Sequence, residues 1–255
     1  MLSAYAKGRV FGERHGTGTP GVLALHGWGR SHRDFSAVLG QVGSAGDPFD
    51  GRAIDALAVD LPGFGAAPPP PAVWGTADYA DFLLPLLDEI EGRVVVCGHS
   101  FGGLVAAQLA ARHPDRLSGL VLTGAPLLRP GGQRRRPPLR YRVVRRLAEL
   151  GLLGEDRLEA SRRRHGSRDY REATGIMRQV LVRRLQESYD DLLDRIDLPV
   201  ELVWGDRDTA APVSTAYALA SRLRRAHLVV LEGVGHLVPT SAPAALREAI
   251  ARLTT

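Results

Sequence analysis

The sequence predicts an α/β fold, with a mostly parallel central sheet flanked by helices. Three observations predict it. Short apolar runs suited to buried strands recur at residues 22–25, 53–59, 94–97, 119–123, 200–204 and 227–231. Helical periodicity lies between them: residues 76–90 place Leu83, Leu86, Leu87 and Ile90 on one face. Strands alternating with helices call for parallel pairing with both sheet faces covered. Several of the runs also end in Gly-, His- or Asp-containing turns, at the strand ends where α/β proteins place their chemistry.

A chain of 255 residues is consistent with one α/β domain and buries enough surface for a full sheet core. Cys97 is the only cysteine, which excludes an internal disulfide and suits a reducing compartment. The first residues carry no apolar signal region, and no apolar run reaches the length of a membrane span. The expectation is a cytoplasmic protein with no membrane partner. Lys7 is the only lysine, so the body of the chain offers none for a Schiff base or a phosphate-binding Gly-Lys-Ser/Thr loop.

In chain order, residues 8–25 read as a hairpin feeding a central strand. They contain Gly16-Thr17-Gly18-Thr19-Pro20-Gly21, which fits a dinucleotide-binding pattern. That reading is rejected because the pattern needs a helix directly after it, and an apolar strand follows. His26-Gly27-Trp28-Gly29 comes next, then a helix over residues 34–42. The strand over residues 53–59 runs into Asp60-Leu61-Pro62-Gly63-Phe64-Gly65, where Asp60 reads as a turn cap. Pro68 to Pro71 form a stiff surface loop rather than a domain linker.

The stretch over residues 93–112, RVVVCGHSFGGLVAAQLAAR, organises the rest. Four strand residues lead into Gly98-His99-Ser100-Phe101-Gly102-Gly103 and then a helix of small residues. Gly98, Ser100 and Gly102 fit Gly-x-Ser-x-Gly in the strand–turn–helix setting of a nucleophile elbow. A serine on such a turn has strained backbone angles and needs neighbours without bulk two positions either side. The helix N-terminus beneath it favours developing negative charge.

Further motifs follow the strands in order: His26-Gly27-Trp28-Gly29, the Asp60–Gly65 turn, Trp204-Gly205-Asp206-Arg207-Asp208 and Gly233-Val234-Gly235-His236. With them the chain resembles the α/β-hydrolase family over nearly its whole length except residues 127–196. The resemblance implies the chain order serine, acid, histidine. Ser100 is then the nucleophile and His236 the base, in a loop just past the last strand. Asp208 is the acid that orients the base, since the family pattern Trp-Gly-x-x-Asp falls on it; Asp206 is the competitor. The backbone N–H groups of Trp28 and Phe101 form the oxyanion hole, with the indole of Trp28 walling the pocket. His26 and His99 read as structural members of tight turns. His15, His32, His113 and His165 lie in polar or terminal segments, and His227 starts a strand.

The resemblance also implies a helical cap over residues 127–196, between a core of residues 1–126 and 197–255. Two apolar stripes agree with it, one at Leu139, Val143, Leu147 and Leu150 and one at Ile176, Val180 and Leu185. Charge is concentrated there: residues 129–168 hold thirteen arginines against four acids, so the rest of the chain is net acidic. Arg142 and Arg146 lie off the first stripe and are candidates to select an anionic or carrier-protein-bound acyl substrate. The competing explanations are a solvated helix face and biased codon usage.

The expected activity is hydrolysis of a carboxylic ester through an acyl-enzyme, with water as the only co-reactant and no cofactor or metal. A thioesterase, lactonase, carbon–carbon bond hydrolase or perhydrolase would use the same triad. Ser100 excludes the epoxide hydrolases and haloalkane dehalogenases of the fold, which need aspartate at the elbow. An intact Ser100, Asp208 and His236 set argues against a non-catalytic binding protein. Nucleic-acid binding lacks any motif beyond the charge. Oligomeric state is not legible.

Overall fold

The computed structural model describes residues 1–43, 46–128 and 168–254. Eight strands form one sheet: β1 (Leu2–Tyr5), β2 (Val10–His15), β3 (Val22–Leu25), β4 (Ala56–Asp60), β5 (Val94–His99), β6 (Leu117–Thr123), β7 (Val200–Gly205) and β8 (Ala226–Leu231). Their order is β1-β2-β4-β3-β5-β6-β7-β8. β1, β2 and β4 pair antiparallel, and every pair from β4 through β3 to β8 is parallel.

The two-residue side-chain period divides each central strand between two cores. In β5, Val94 and Val96 join one apolar cluster while Val95 and Cys97 join the other. β3 divides likewise, Leu23 and Leu25 against Val22 and Ala24. The first core is closed by α2 (Thr76–Asp88), α3 (Phe101–Arg112) and, further along the sheet, α7 (Val213–Arg222). The second is closed by α1 (Ser36–Leu39) and α9 (Pro243–Thr254), through Val38, Leu39, Leu246, Ala249 and Ile250. Between β8 and α9 lies one short turn of helix, α8 (Val238–Ser241).

Several elements depart from expectation. Residues 8–25 are not a hairpin. β2 pairs with β1 and β4, and the loop with Gly16 and Gly18 carries the chain past Asp55 into β3. The Asp55 carboxylate accepts from the Gly18 N–H at 2.6 Å, and its carbonyl from Gly21 at 2.8 Å. As the sequence argued, a strand follows these glycines. The helix expected over residues 34–42 is shorter: a 3-10 turn at His32–Phe35 leads into α1, which stops where Gly40 turns extended. Apolar Val38 and Leu39 mark the buried part, and Gly40 carries the chain out of the helix.

Within the segment expected as a cap, residues 168–196 carry α4 (Arg168–Glu172), α5 (Gly175–Gln186) and α6 (Asp190–Leu193). The stripe at Leu139, Val143, Leu147 and Leu150 lies outside the described residues. The second stripe is shifted. α5 buries Val180 and Leu181, whereas Leu185 is 48% exposed. Spacing of four and then five residues drifts off one helical face, which is why Leu181 replaces Leu185. α5 and its C-terminal loop dock on the core. Met177 sits over Gly63, and the Glu187 carboxylate accepts from Thr76 at the start of α2, its N–H at 3.0 Å and its hydroxyl at 2.8 Å.

Candidate active site

The β5–α3 turn holds Ser100 at φ 50°, ψ −110°, a conformation that L-residues rarely adopt and that costs about 1–3 kcal/mol. The surrounding structure enforces it. The Ser100 N–H donates to the Thr123 carbonyl at 2.9 Å, and its own carbonyl accepts from Gly103 and Leu104 in the first turn of α3. A Cβ on Gly98 would lie 2.6 Å from the Gly103 Cα, and one on Gly102 would strike the Leu25 carbonyl. Only glycine at both positions lets α3 press against β5 and β3 while Ser100 projects beyond the strand ends.

The Nδ1–H of His236 donates to the Asp208 carboxylate at 2.7 Å. The other oxygen of Asp208 accepts from the Ala210 and Ala211 N–H groups, both at 2.8 Å. Asp208 is thus buried, fully hydrogen-bonded and fixed in direction, while the His236 side chain keeps 26% exposure. Asp206 stays apart: it accepts from the Gly233 N–H at 2.8 Å and braces the loop that carries His236. Two neighbours bound the His236 ring. The His99 ring lies 4.8 Å from it, centroid to centroid, tilted by 52°. Gly124 (φ 58°), just past β6, comes so close that a Cβ there would be 2.8 Å from His236 Cε1. Since His99 precedes Ser100 and Thr123 holds the Ser100 N–H, these contacts bring His236 to the strand ends beside Ser100.

The loop after β3 approaches the same point. A Cβ on Gly27 would lie 3.4 Å from Ser100 Cβ and 3.0 Å from His99 Cδ2. Trp28 follows in a turn closed by the Arg30 N–H on the Gly27 carbonyl. Among the described residues, no acceptor takes a hydrogen bond from the N–H of Trp28 or of Phe101. Trp28 follows Gly27 and Phe101 follows Ser100, and the Trp28 and Phe101 rings meet edge-on at 5.3 Å.

The histidines expected to be structural are so. His26 is buried, donates from Nδ1 to the Gly27 carbonyl at 2.7 Å and accepts the Leu61 N–H on Nε2 at 3.0 Å. Burial holds its pKa below the ordinary value despite the Gly27 bond. Burial, then the charge of His236, pushes His99 down to about 3. Cys97 is a buried apolar filler beneath the elbow, its thiol pushed up to about 12 by burial. His32 is the surprise. Expected in a polar segment, it is buried and pairs through its N–H (2.7 Å) and Nδ1 (2.9 Å) with the Asp60 carboxylate. The sequence signal for it was Asp60 itself, at a strand end with nothing adjacent to neutralise it. Arg142 and Arg146 lie outside the described residues.

The match to the Alpha/beta hydrolase family spans residues 22–249. The chain belongs to this family, and it is a hydrolase of the ester-cleaving class. A curated relative, the pimeloyl-[acyl-carrier protein] methyl ester esterase of Aromatoleum aromaticum, is 31% identical over 248 residues, covering 85% of this chain and 91% of its own. Solved structures share the fold. A thermophilic esterase from Thermogutta terrifontis superposes with a TM-score of 0.67 at 23% identity, covering 99% of this chain and 96% of its own. The bromoperoxidase from Bacillus anthracis superposes with a TM-score of 0.71 at 19% identity, covering 99% of each chain. No helix among the described residues is long and apolar enough to cross a membrane.

Proposed function

We propose that this hydrolase cleaves its ester through an acyl-enzyme on Ser100, with His236 as the base and Asp208 as its orienting acid. The observation that carries the proposal is the 2.7 Å bond from His236 Nδ1 to a buried, doubly braced Asp208, at the strand ends beside the strained Ser100. Nδ1 is committed to Asp208, so Nε2 is the nitrogen left to take the serine proton. Ser100 Oγ attacks the carbonyl carbon, and the oxyanion is received by the N–H groups of Trp28 and Phe101, which have no acceptor among the described residues. Imidazolium His236 then protonates the departing alcohol. Water, deprotonated by the same nitrogen, adds to the acyl-enzyme, and collapse of the second tetrahedral intermediate frees the acid and Ser100.

Residues 127–196 form the cap of this reading, supported by α4–α6 and by Met177 on Gly63. The substrate is an acyl ester presented on an acyl-carrier protein. The name of the Aromatoleum relative supports this, as do the thirteen arginines across residues 129–168, which suit an acidic partner. Arg142 and Arg146 make that contact. The test compares the methyl ester of a carrier-bound acyl chain with p-nitrophenyl acetate across a salt series. The carrier-bound ester is expected to lose kcat/KM as ionic strength rises, while the acetate holds steady. In Arg142→Glu/Arg146→Glu the preference for the carrier-bound ester is expected to collapse. An unchanged ratio of the two kcat/KM values overturns the role of these arginines, and organophosphonate labelling that survives Ser100→Ala overturns the nucleophile.

A further inference from the structure

The Asp60–Gly65 motif has no part in the triad, yet the structure ties it to the loop after β3 in three places. The Asp60 carboxylate spans the two loops. One oxygen accepts from the N–H and Nδ1 of His32, the other from the Ala66 N–H at 2.8 Å. Leu61 donates its N–H to Nε2 of His26, the residue two before Trp28. Finally, the Phe64 ring, 9% exposed, meets Trp28 edge-on at 4.9 Å and Phe101 at 6.0 Å, while Trp28 and Phe101 meet each other at 5.3 Å. The three rings form a closed triangle. Two of its corners are the residues whose amides have no acceptor among the described residues, and the third belongs to neither segment that carries them.

We propose that the 60–66 loop is a clamp on the oxyanion site, and that Phe64 is the positioning residue that sets the separation of the Trp28 and Phe101 amides. This rests on the oxyanion reading given above. The physical argument is rigidity. Edge-to-face aromatic contacts have a preferred geometry, and close-packed interiors transmit displacements instead of absorbing them. Trp28 lies in a turn and Phe101 on a helix, and the one backbone bond between their segments, from the Gly102 N–H to the His26 carbonyl at 3.0 Å, does not by itself fix the two residues. Phe64 does so through both side chains, and its own backbone is held by the Phe64 N–H on the Leu61 carbonyl at 3.0 Å. Tyr79 extends the support, its ring 5.0 Å from Phe101 and its hydroxyl donating to the Pro62 carbonyl at 3.0 Å. A pair of donors aimed at one oxygen is useful only at the right spacing, because its value lies in contacts tighter in the transition state than in the bound ester.

The experiment reads Phe64→Leu and Phe64→Tyr, with Ile250→Ala as a control of buried size on the opposite face of the sheet. Each is assayed with p-nitrophenyl acetate where circular dichroism shows it folded, and for inhibition by an alkyl trifluoromethyl ketone, which binds as the tetrahedral adduct. Phe64→Leu is expected to lower kcat about 10–100-fold, with KM within about threefold and ketone affinity falling in parallel with kcat/KM. Phe64→Tyr keeps the ring and is expected to stay within about fivefold of the native enzyme, and Ile250→Ala to lose stability without that kcat loss. Equal losses in Leu and Tyr variants, an effect in KM alone, or intact ketone affinity in Phe64→Leu overturns the clamp. If the native enzyme binds the trifluoromethyl ketone no tighter than the matching methyl ketone, the oxyanion reading fails and the clamp with it. If it discriminates and Phe64→Leu does so equally, only the clamp fails.

Discussion

Two buried polar clusters lie on this sheet, and they are built to opposite rules. At the strand ends, Asp208 is saturated with hydrogen bonds, but the chain it serves is left open: His236 stays partly exposed, Ser100 is strained, and the Trp28 and Phe101 amides have no acceptor among the described residues. On the flank of the second core, Arg247 of α9 is closed on every side. Its guanidinium donates to both oxygens of Asp47, at 2.6 and 2.9 Å, and to the carbonyls of Val38, Gly40 and Arg52. Both side chains are within a few per cent of complete burial. A buried polar group with every partner supplied stitches the fold together. One whose neighbours retain unused donors and strain is arranged for chemistry rather than for stability.

The largest effect that could break this comparison is at the proposed nucleophile. Ser100→Ala is expected to lower turnover by several orders of magnitude and to abolish organophosphonate labelling. Ser100→Gly is expected to be equally inactive yet more stable by about 1 kcal/mol, because glycine adopts φ 50° without strain. A glycine variant less stable than the native protein in urea denaturation would remove the claim that strain is stored at this turn.

Next comes the acid. Asp208→Asn is expected to lower kcat/KM about 10³–10⁴-fold by removing the carboxylate that fixes the His236 tautomer, whereas Asp206→Asn is expected to cost less than about tenfold because it only braces the loop. The reverse ranking would move the acid. Gly124→Ala tests the same ring sterically. Its Cβ would press on His236 Cε1, and a kcat loss of about 10²-fold is expected from misplacing the base. Arg247→Leu belongs to the other cluster. It is expected to cost about 3–5 kcal/mol of stability by leaving Asp47 buried and unpaired, with kcat per folded molecule unchanged. A large kcat loss there would show that the two clusters are coupled.

The two clusters also differed in how far the sequence disclosed them. The strand-end places of Ser100, Asp208 and His236 were legible because the elbow and the strand-end turns impose local residue patterns: the glycines at 98 and 102, the Trp-Gly-x-x-Asp spacing and the glycines before His236. The parallel strands were legible from their unbroken apolar runs. Arg247 was not, since nothing near it in the chain signals a partner 200 residues away. β1 was missed because its residues are mostly exposed at a sheet edge and carry no alternation. The placement of β2 beside β4 depends on long-range pairing that local pattern does not encode. His32 went unread for the same reason, as its partner Asp60 lies across a strand and a loop.

The smallest effect expected is in acid, and it separates the clusters by pH. An unfolded histidine takes up its proton near pH ~6.5, but His99 is held down to about 3 by burial and by His236. Between those values the unfolded chain binds a proton that the native chain refuses. The stability tied to neutral His99 is complete above pH ~6.5 and drains as pH falls toward 3. Asp47 behaves differently. The Arg247 bond holds its carboxyl at about 2, against burial that would raise it. Its contribution is complete above the ordinary aspartate value of pH ~3.9 and is lost as pH falls through about 2. Acid therefore loosens the proposed catalytic end first and the Arg247 anchor last. In urea denaturation at stepped pH, His99→Phe is expected to flatten the fall in stability between pH ~6 and ~4, by at most about 1.4 kcal/mol per pH unit. Asp47→Asn is expected to lower stability throughout that window while leaving most of its slope. His15 and His26, also held below their ordinary values by burial, keep part of the slope in both variants. If His99→Phe leaves the slope as steep as in the native protein, the acid sensitivity does not originate at the catalytic end.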